Sequence, residues 1–182
     1  MIFNPVKCIS VVMAGFIAML ALQAWSQDES DYGGPEDVEF AADLWDAMLQ
    51  AGLVGSKAMN GQPYFGTHPH GSILESAIHT ITVKGVTSIL AAKLSYRGIG
   101  VSIDDVVADR AAFIEDVTVM FKREDGYDTP HQNWFWAKYN PDGTLDMTPK
   151  GVQLAGRIAR GKPKGCIACH LKAEGGDLLF IN

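Results

Sequence analysis

Residues Cys166-Ile167-Ala168-Cys169-His170 carry the densest chemistry in this 182-residue chain. They spell C-x-x-C-H, the spacing at which a c-type haem is attached. Two thiols three positions apart stand about one helical turn from each other, so each can form a thioether with a vinyl group of one ring. The histidine that follows then offers its imidazole to the iron as proximal axial ligand. Two plainer readings compete. A zinc site wants a second ligand pair, and the only other cysteine is Cys8 near the N-terminus. A redox C-x-x-C pair wants a βαβ setting, whereas this motif lies close to the C-terminal end. Covalent haem c is therefore the expected cofactor, held by Cys166, Cys169 and His170.

The beginning of the chain agrees with that chemistry. A short segment with one lysine, Lys7, precedes a continuously apolar run over 11–22, and Ala24 and Ser26 sit where a signal peptidase reads small residues. Residues 1–26 are thus expected to be a secretory signal peptide cleaved after Ser26. The apolar run falls short of the roughly 20 residues that span a bilayer. Cys8 lies in the segment to be removed, which leaves only the two motif cysteines and no disulfide framework. Haem attachment outside the cytoplasmic membrane fits a periplasmic location. Residues 27–35 read as a flexible polar lead-in, and 36–182 as one domain large enough for a core. A net charge of −6 and a pI near 5.3 give no reason to expect nucleic acid.

The elements that must position the motif follow from periodicity. Residues 37–51 place Ala41, Leu44, Trp45, Met48 and Leu49 on one helical face, and Gly52 stops the run. That stripe reads as core packing rather than as a cofactor box. Loop residues crowd 60–71, including Gly61, Pro63, Gly66, Pro69 and Gly71. Strands are expected at 73–83 and 87–96, joined through Lys84-Gly85 as a hairpin. Ser102-Ile103-Asp104-Asp105 resembles a capping box that opens a short helix to about 111. Residues 113–122 alternate, with Val117, Val119 and Phe121 on one face and Thr118, Met120 and Lys122 on the other. Residues 134–139 form an aromatic strand, and 151–159 a short helix that would carry Arg157 as a solvated face. The fold class is α+β: an antiparallel β-sheet domain with an N-terminal helix and a C-terminal haem-attachment segment.

Several stretches around the motif carry a more specific signal. They are Thr67-His68-Pro69-His70-Gly71, Ala91-Ala92-Lys93-Leu94-Ser95-Tyr96, Val117-Thr118-Val119-Met120-Phe121-Lys122 and Gly126-Tyr127-Asp128. Asn133-Trp134-Phe135-Trp136-Ala137-Lys138-Tyr139, leading into Pro141-Asp142-Gly143, and the tail Gly176-Asp177-Leu178-Leu179-Phe180 complete the set. In order and spacing around C-x-x-C-H they resemble the cytochrome P-460 family, whose relatives include the β-type cytochromes c′. The resemblance covers most of the chain from about Tyr64 onward.

That resemblance implies a five-coordinate haem in an antiparallel β-domain, often a homodimer. In P-460 enzymes a lysine is also bonded to the porphyrin, and the protein oxidises hydroxylamine and passes electrons to a soluble cytochrome. The β-type cytochromes c′ lack that bond and bind small gases, above all nitric oxide. Lys93 matches the cross-linking lysine, and strand alternation puts Ile89, Ala91 and Lys93 on one face. Leu94 and Ser95 depart from the charged or amide residues that several relatives carry there. The plainer reading of Lys93 is a stem laid over apolar surface.

The distal side decides between reaction and simple binding, because oxidising hydroxylamine removes protons as well as electrons. P-460 enzymes use a carboxylate there. Glu75, Glu115, Asp116 and Asp142 are candidates, each with a solvated surface acid as the competing reading. Phe121 or an aromatic of 134–136 facing the iron would favour a neutral ligand such as nitric oxide instead. A third reading, an electron-transfer cytochrome, needs a second axial ligand from Met59, Met120, Met147, His68, His70, His79 or His131. The basic residues Arg157, Arg160, Lys162 and Lys164 precede the motif, where they can meet haem propionates or an acidic partner. Asp142, Gly143 and Asp146 do not complete a calcium loop.

Overall fold

The alternating stretches pair in sequence order into one antiparallel sheet of six strands. The structure, a computed structural model, describes residues 1, 32–55, 58 and 61–180. Apart from Met1, the expected signal peptide with Cys8 lies outside the described residues, as do the lead-in up to 31 and Met59. The strands are β1 (Tyr64–Phe65), β2 (Ile73–Val83), β3 (Val86–Tyr96), β4 (Ile114–Lys122), β5 (Trp134–Tyr139) and β6 (Ala155–Gly156). The helices are α1 (Pro35–Gln50), α2 (Ile103–Ala108), α3 (Arg110–Phe113) and α4 (Cys166–His170). This is the expected α+β architecture, with the long strands within a residue of their predicted bounds. β2 and β3 pair from Ile73 opposite Tyr96 to Val83 opposite Val86. Their turn has φ of 47° at Lys84 and 81° at Gly85, the left-handed pair that matches a two-residue hairpin to strand twist.

Helix α1 starts where Pro35 fits the first turn and Glu36 and Asp37 face the positive end of the helix dipole. Its buried stripe is Phe40, Ala41, Leu44, Trp45 and Met48. Leu49, expected in that stripe, is 44% exposed, and Phe40 takes its place. The stripe packs on the sheet face made by Leu90, Ala92 and Leu94 of β3, Val117, Val119 and Phe121 of β4, and Phe135, Ala137 and Tyr139 of β5. Phe40 meets the Phe135 ring edge-on at 4.7 Å between centroids, and the Tyr139 hydroxyl donates to the Ala41 carbonyl at 2.8 Å. The strand alternation therefore assigns α1 to core packing, as its pattern suggested.

Two local expectations are corrected. Ser102 and Asp105 do form the capping box, but α2 ends at Ala108, and Asp109 caps the separate turn α3 through Ala112 N–H at 3.1 Å. The helix expected over 151–159 does not form. Its backbone is spent on strand-like pairing: Lys138 N–H donates to Leu154 O at 3.0 Å, Leu154 N–H to Asp146 O at 2.8 Å, and Gly33 N–H to Ala155 O at 2.7 Å. Groups committed to β5 and its neighbours cannot also close i to i+4 helical bonds.

The second face of the sheet carries the alternate residues in two cross-strand rows. One row runs Ser76, Lys93, Thr118, Lys138; the other runs Ile78, Ala91, Met120, Trp136. Helix α4 and the tail after it lie over this face. They close a smaller apolar cluster in which Met120, Trp134 and Trp136 meet Ile158, Ile167 and Leu178.

Candidate functional site

Between this second face and α4 lies a cavity of about 590 Å³, lined by residues of both sheet rows and by Cys166, Cys169 and His170. Its size is within the ~300–1,000 Å³ of cofactor sites. Cys166 and Cys169 stand on one turn of α4, Cys166 half-buried and Cys169 exposed, and neither is in a disulfide. Burial pushes the Cys166 thiol above its ordinary pKa. Ile167, between them, is 1% exposed and pins the turn to the apolar cluster.

His170 ends α4 and is 7% exposed. Its Nδ1 donates to the carbonyl of Leu178 at 2.7 Å, which fixes the tautomer and leaves the Nε2 lone pair for a metal. Burial lowers its pKa, with Lys93 acting in the same direction, so the imidazole is neutral as a ligand requires. The carbonyl is aimed by Leu178 itself, which adopts φ 65°, a region non-glycine residues seldom occupy. The tail is tied down where Trp134 Nε1–H donates to Asp177 O at 2.7 Å. Rings of Trp136 and Phe180 flank the His170 imidazole at 4.8 and 5.2 Å between centroids.

Lys93 reaches the same cavity. It is half-buried, its Nζ lies 6.0 Å from the centre of the Phe180 ring, and burial lowers its pKa. Ala91, two residues before it, adds only a methyl group to the floor. The Trp136 indole, 3% exposed, lines the cavity with its Nε1–H buried and without a hydrogen-bond partner.

These features fit a haem: apolar walls, a tautomerically fixed imidazole, and two thiols on one turn. Among the described residues, no three His, Cys, Asp or Glu side chains converge to hold a metal ion. A zinc site is built from such a cluster, whereas haem iron takes only one or two axial ligands from the protein.

The other candidates separate cleanly. Glu75 is neither a surface acid nor near the cavity. It is 2% exposed on the α1 side of the sheet, where it accepts from Tyr96 Oη and Arg110 Nε, each at 2.8 Å. Asp116 is also buried, at 6% exposure, beside the Lys138 amine at 3.3 Å, with its Oδ1 unpartnered. Glu115 pairs with Arg97 on the surface, and exposed Asp142 accepts from Thr144 N–H. Among the described residues, no carboxylate lines the cavity. Phe121 and Phe135 belong to the α1 core, while Trp134 and Trp136 face the cavity side. Of the histidines, His79 is exposed and His131 bonds Asp128 at 2.9 Å, both away from the site. His68 and His70 line the cavity, and the His70 ring lies 6.2 Å from that of His170. Met120 lines it too, whereas Met147 is 53% exposed elsewhere. The basic cluster splits: Arg157 donates to Tyr127 O at 2.9 Å and Arg160 approaches Asp128 at 3.5 Å, leaving Lys164 at the cavity edge.

The Leu178 carbonyl, the Trp134 tether and Thr118 were not singled out by sequence reasoning. A backbone acceptor has no residue signature, and the only local clue was the Gly175-Gly176 pair that lets the tail double back. Comparison with protein-family models, with curated proteins and with solved structures found no match.

Proposed function

We propose that the protein is a periplasmic monohaem c-type cytochrome of the P-460 type, which oxidises hydroxylamine or a related small nitrogen compound. The observation that carries this reading is the meeting of Cys166, Cys169, His170 and Lys93 in one cavity. A bound haem supplies redox-active iron able to take up a small nitrogen ligand and accept its electrons. Cys166 and Cys169 would hold the ring by two thioethers. His170 offers Nε2 while Leu178 O accepts its Nδ1 proton, which keeps the imidazole oriented and electron-rich. Lys93 would supply the amine for the ring bond that the resemblance implies, and small Ala91, which also lines the cavity, would leave room for the ring. Trp136 offers an unpaired indole N–H to an acceptor inside the cavity. In this reading a soluble cytochrome is the electron acceptor and the protein is a homodimer, both by the same resemblance.

The apolar walls, and the absence of a carboxylate among the described residues that line the cavity, favour a second reading, a non-catalytic protein that binds nitric oxide. The test is the visible spectrum of the reduced protein, expressed with haem-attachment machinery, alongside hydroxylamine-dependent reduction of a soluble cytochrome. A strongly red-shifted main band that vanishes in Lys93→Ala, together with hydroxylamine turnover, supports the first reading. An ordinary high-spin spectrum that responds to nitric oxide without turnover replaces it with the second. A purified protein without covalent haem removes both.

A further inference from the structure

We propose that the surface around α4 docks an acidic electron-carrying protein, which meets Lys162, Lys164 and Lys172 and takes its electron beside the exposed Cys169. This contact rests on the haem and the soluble acceptor proposed above, and adds where the two proteins touch and what charge the acceptor carries there. One electron leaves the bound cofactor and reduces the acceptor's iron from ferric to ferrous, with no bond made or broken and no proton exchanged.

Residues 157–172 include five basic residues and no acidic one, in a chain whose net charge is −6. Elsewhere Lys84, Arg97, Arg110, Arg123 and Lys138 each pair with a carboxylate. Within the stretch, Arg157 is spent on Tyr127 O and Arg160 approaches Asp128 at 3.5 Å. Lys162, Lys164 and Lys172 are exposed, and none of the three forms an ion pair among the described residues. The nearest acids along the chain do not cancel them. Glu174 is a single exposed charge, and Asp177 is half-buried and accepts from Leu179 N–H at 3.1 Å. Unpaired cations gathered on an acidic protein make a local positive field that attracts a partner of opposite sign.

Their placement gives that field a use. Lys164 and Lys172 bracket α4, two residues before Cys166 and two after His170, and both line the cavity. Between them Cys169 is exposed, and Leu171 is 53% exposed beside it. Apolar surface within a charged rim is the usual anatomy of a protein–protein contact. Electron transfer weakens steeply with distance, and an acceptor seated over Cys169 would stand beside one of the two thioethers that hold the ring. A second copy of this chain suits the patch poorly. A two-fold interface sets a patch against itself, which would place lysine opposite lysine, and like charges there repel.

The test is stopped-flow oxidation of the reduced, haem-loaded protein by two purified ferric monohaem cytochromes, one of acidic and one of basic isoelectric point. The acidic acceptor should react faster at low salt, and its rate should fall as added salt screens the charges. Lys164→Glu combined with Lys172→Glu should slow that reaction about ten-fold or more, and should weaken the complex seen by titration calorimetry. Lys150→Glu makes the same kind of charge change at an exposed lysine outside the cavity lining, and should change the rate little. Where the double variant alters the visible spectrum, Lys162→Glu decides, since Lys162 does not line the cavity. An unchanged rate in that variant overturns the docking site and gives the lysines to the cofactor. Equal rates with both acceptors, or a rate indifferent to salt, also overturn the docking site and leave the haem reading intact. Binding to anionic phospholipid vesicles with no preference between the acceptors does the same, and assigns the patch to a membrane surface. Absence of a haem-staining band from the wild type on a denaturing gel overturns both.

Discussion

The two faces of the sheet use the same strands and differ in what they leave between their side chains. Toward α1, Leu90, Phe121 and Phe135 are completely buried, and Leu44 and Met48 of the helix fill the space above them. Toward α4, the alternate positions carry Ser76, Ala91 and Thr118 among longer residues, and a cavity of about 590 Å³ lies beneath the two cysteines. Protein interiors are normally packed to crystal-like density. One face meets that standard with its own side chains; the other leaves a cavity between the sheet and α4. The difference teaches that stability and chemistry are separated here by strand alternation alone, residue by residue.

The largest test of that separation is Cys166→Ala combined with Cys169→Ala. All covalent haem should be lost from a denaturing gel, while far-UV circular dichroism retains the sheet. Retained haem stain would remove the attachment reading. Next is a pair of truncations on adjacent residues. Phe121→Ala should cost about 3–5 kcal/mol in urea denaturation, whereas Lys122→Ala, on the opposite face, should stay within about 0.5 kcal/mol. Similar losses from both would mean that the two faces are not energetically distinct.

Glu75→Gln sharpens the same boundary from the charged side. It leaves Arg110 without the buried carboxylate that it contacts at 2.7 Å, and should cost about 3 kcal/mol with no change in the haem spectrum. A spectral change would tie this ion pair to the cavity. The smallest effect on stability belongs to Lys93→Ala, within about 0.5 kcal/mol by chemical denaturation. Its expected consequence is confined to the visible band of the reduced protein.

Legibility followed the same division. The α1 face was readable because its signals are local and periodic: Val117, Val119 and Phe121 alternate, and the helix repeats its apolar stripe. The motif at 166–170 and the shared face of Ala91 and Lys93 were readable for the same reason. What sequence did not reveal depended on contacts between distant segments. Nothing in Glu75 itself announces Arg110, which is 35 residues away along the chain. The segment 151–159 has residues that suit a helix, but tertiary pairing with β5 and its neighbours overrode propensity. The contacts of His70 with Thr118 and His170 join three segments that do not adjoin in sequence.

Ile167 carries a consequence for maturation. It occupies the middle of the C-x-x-C-H motif, yet it is as buried as the central core residues, at 1% exposure. A five-residue helix has little stability of its own, so α4 exists because Ile167 is docked. An attachment enzyme that needs both thiols exposed would have to meet this segment before docking, or lift it away afterwards. On the haem reading, thioether formation would belong early in the life of the chain, and the seating of Ile167 would close the site afterwards.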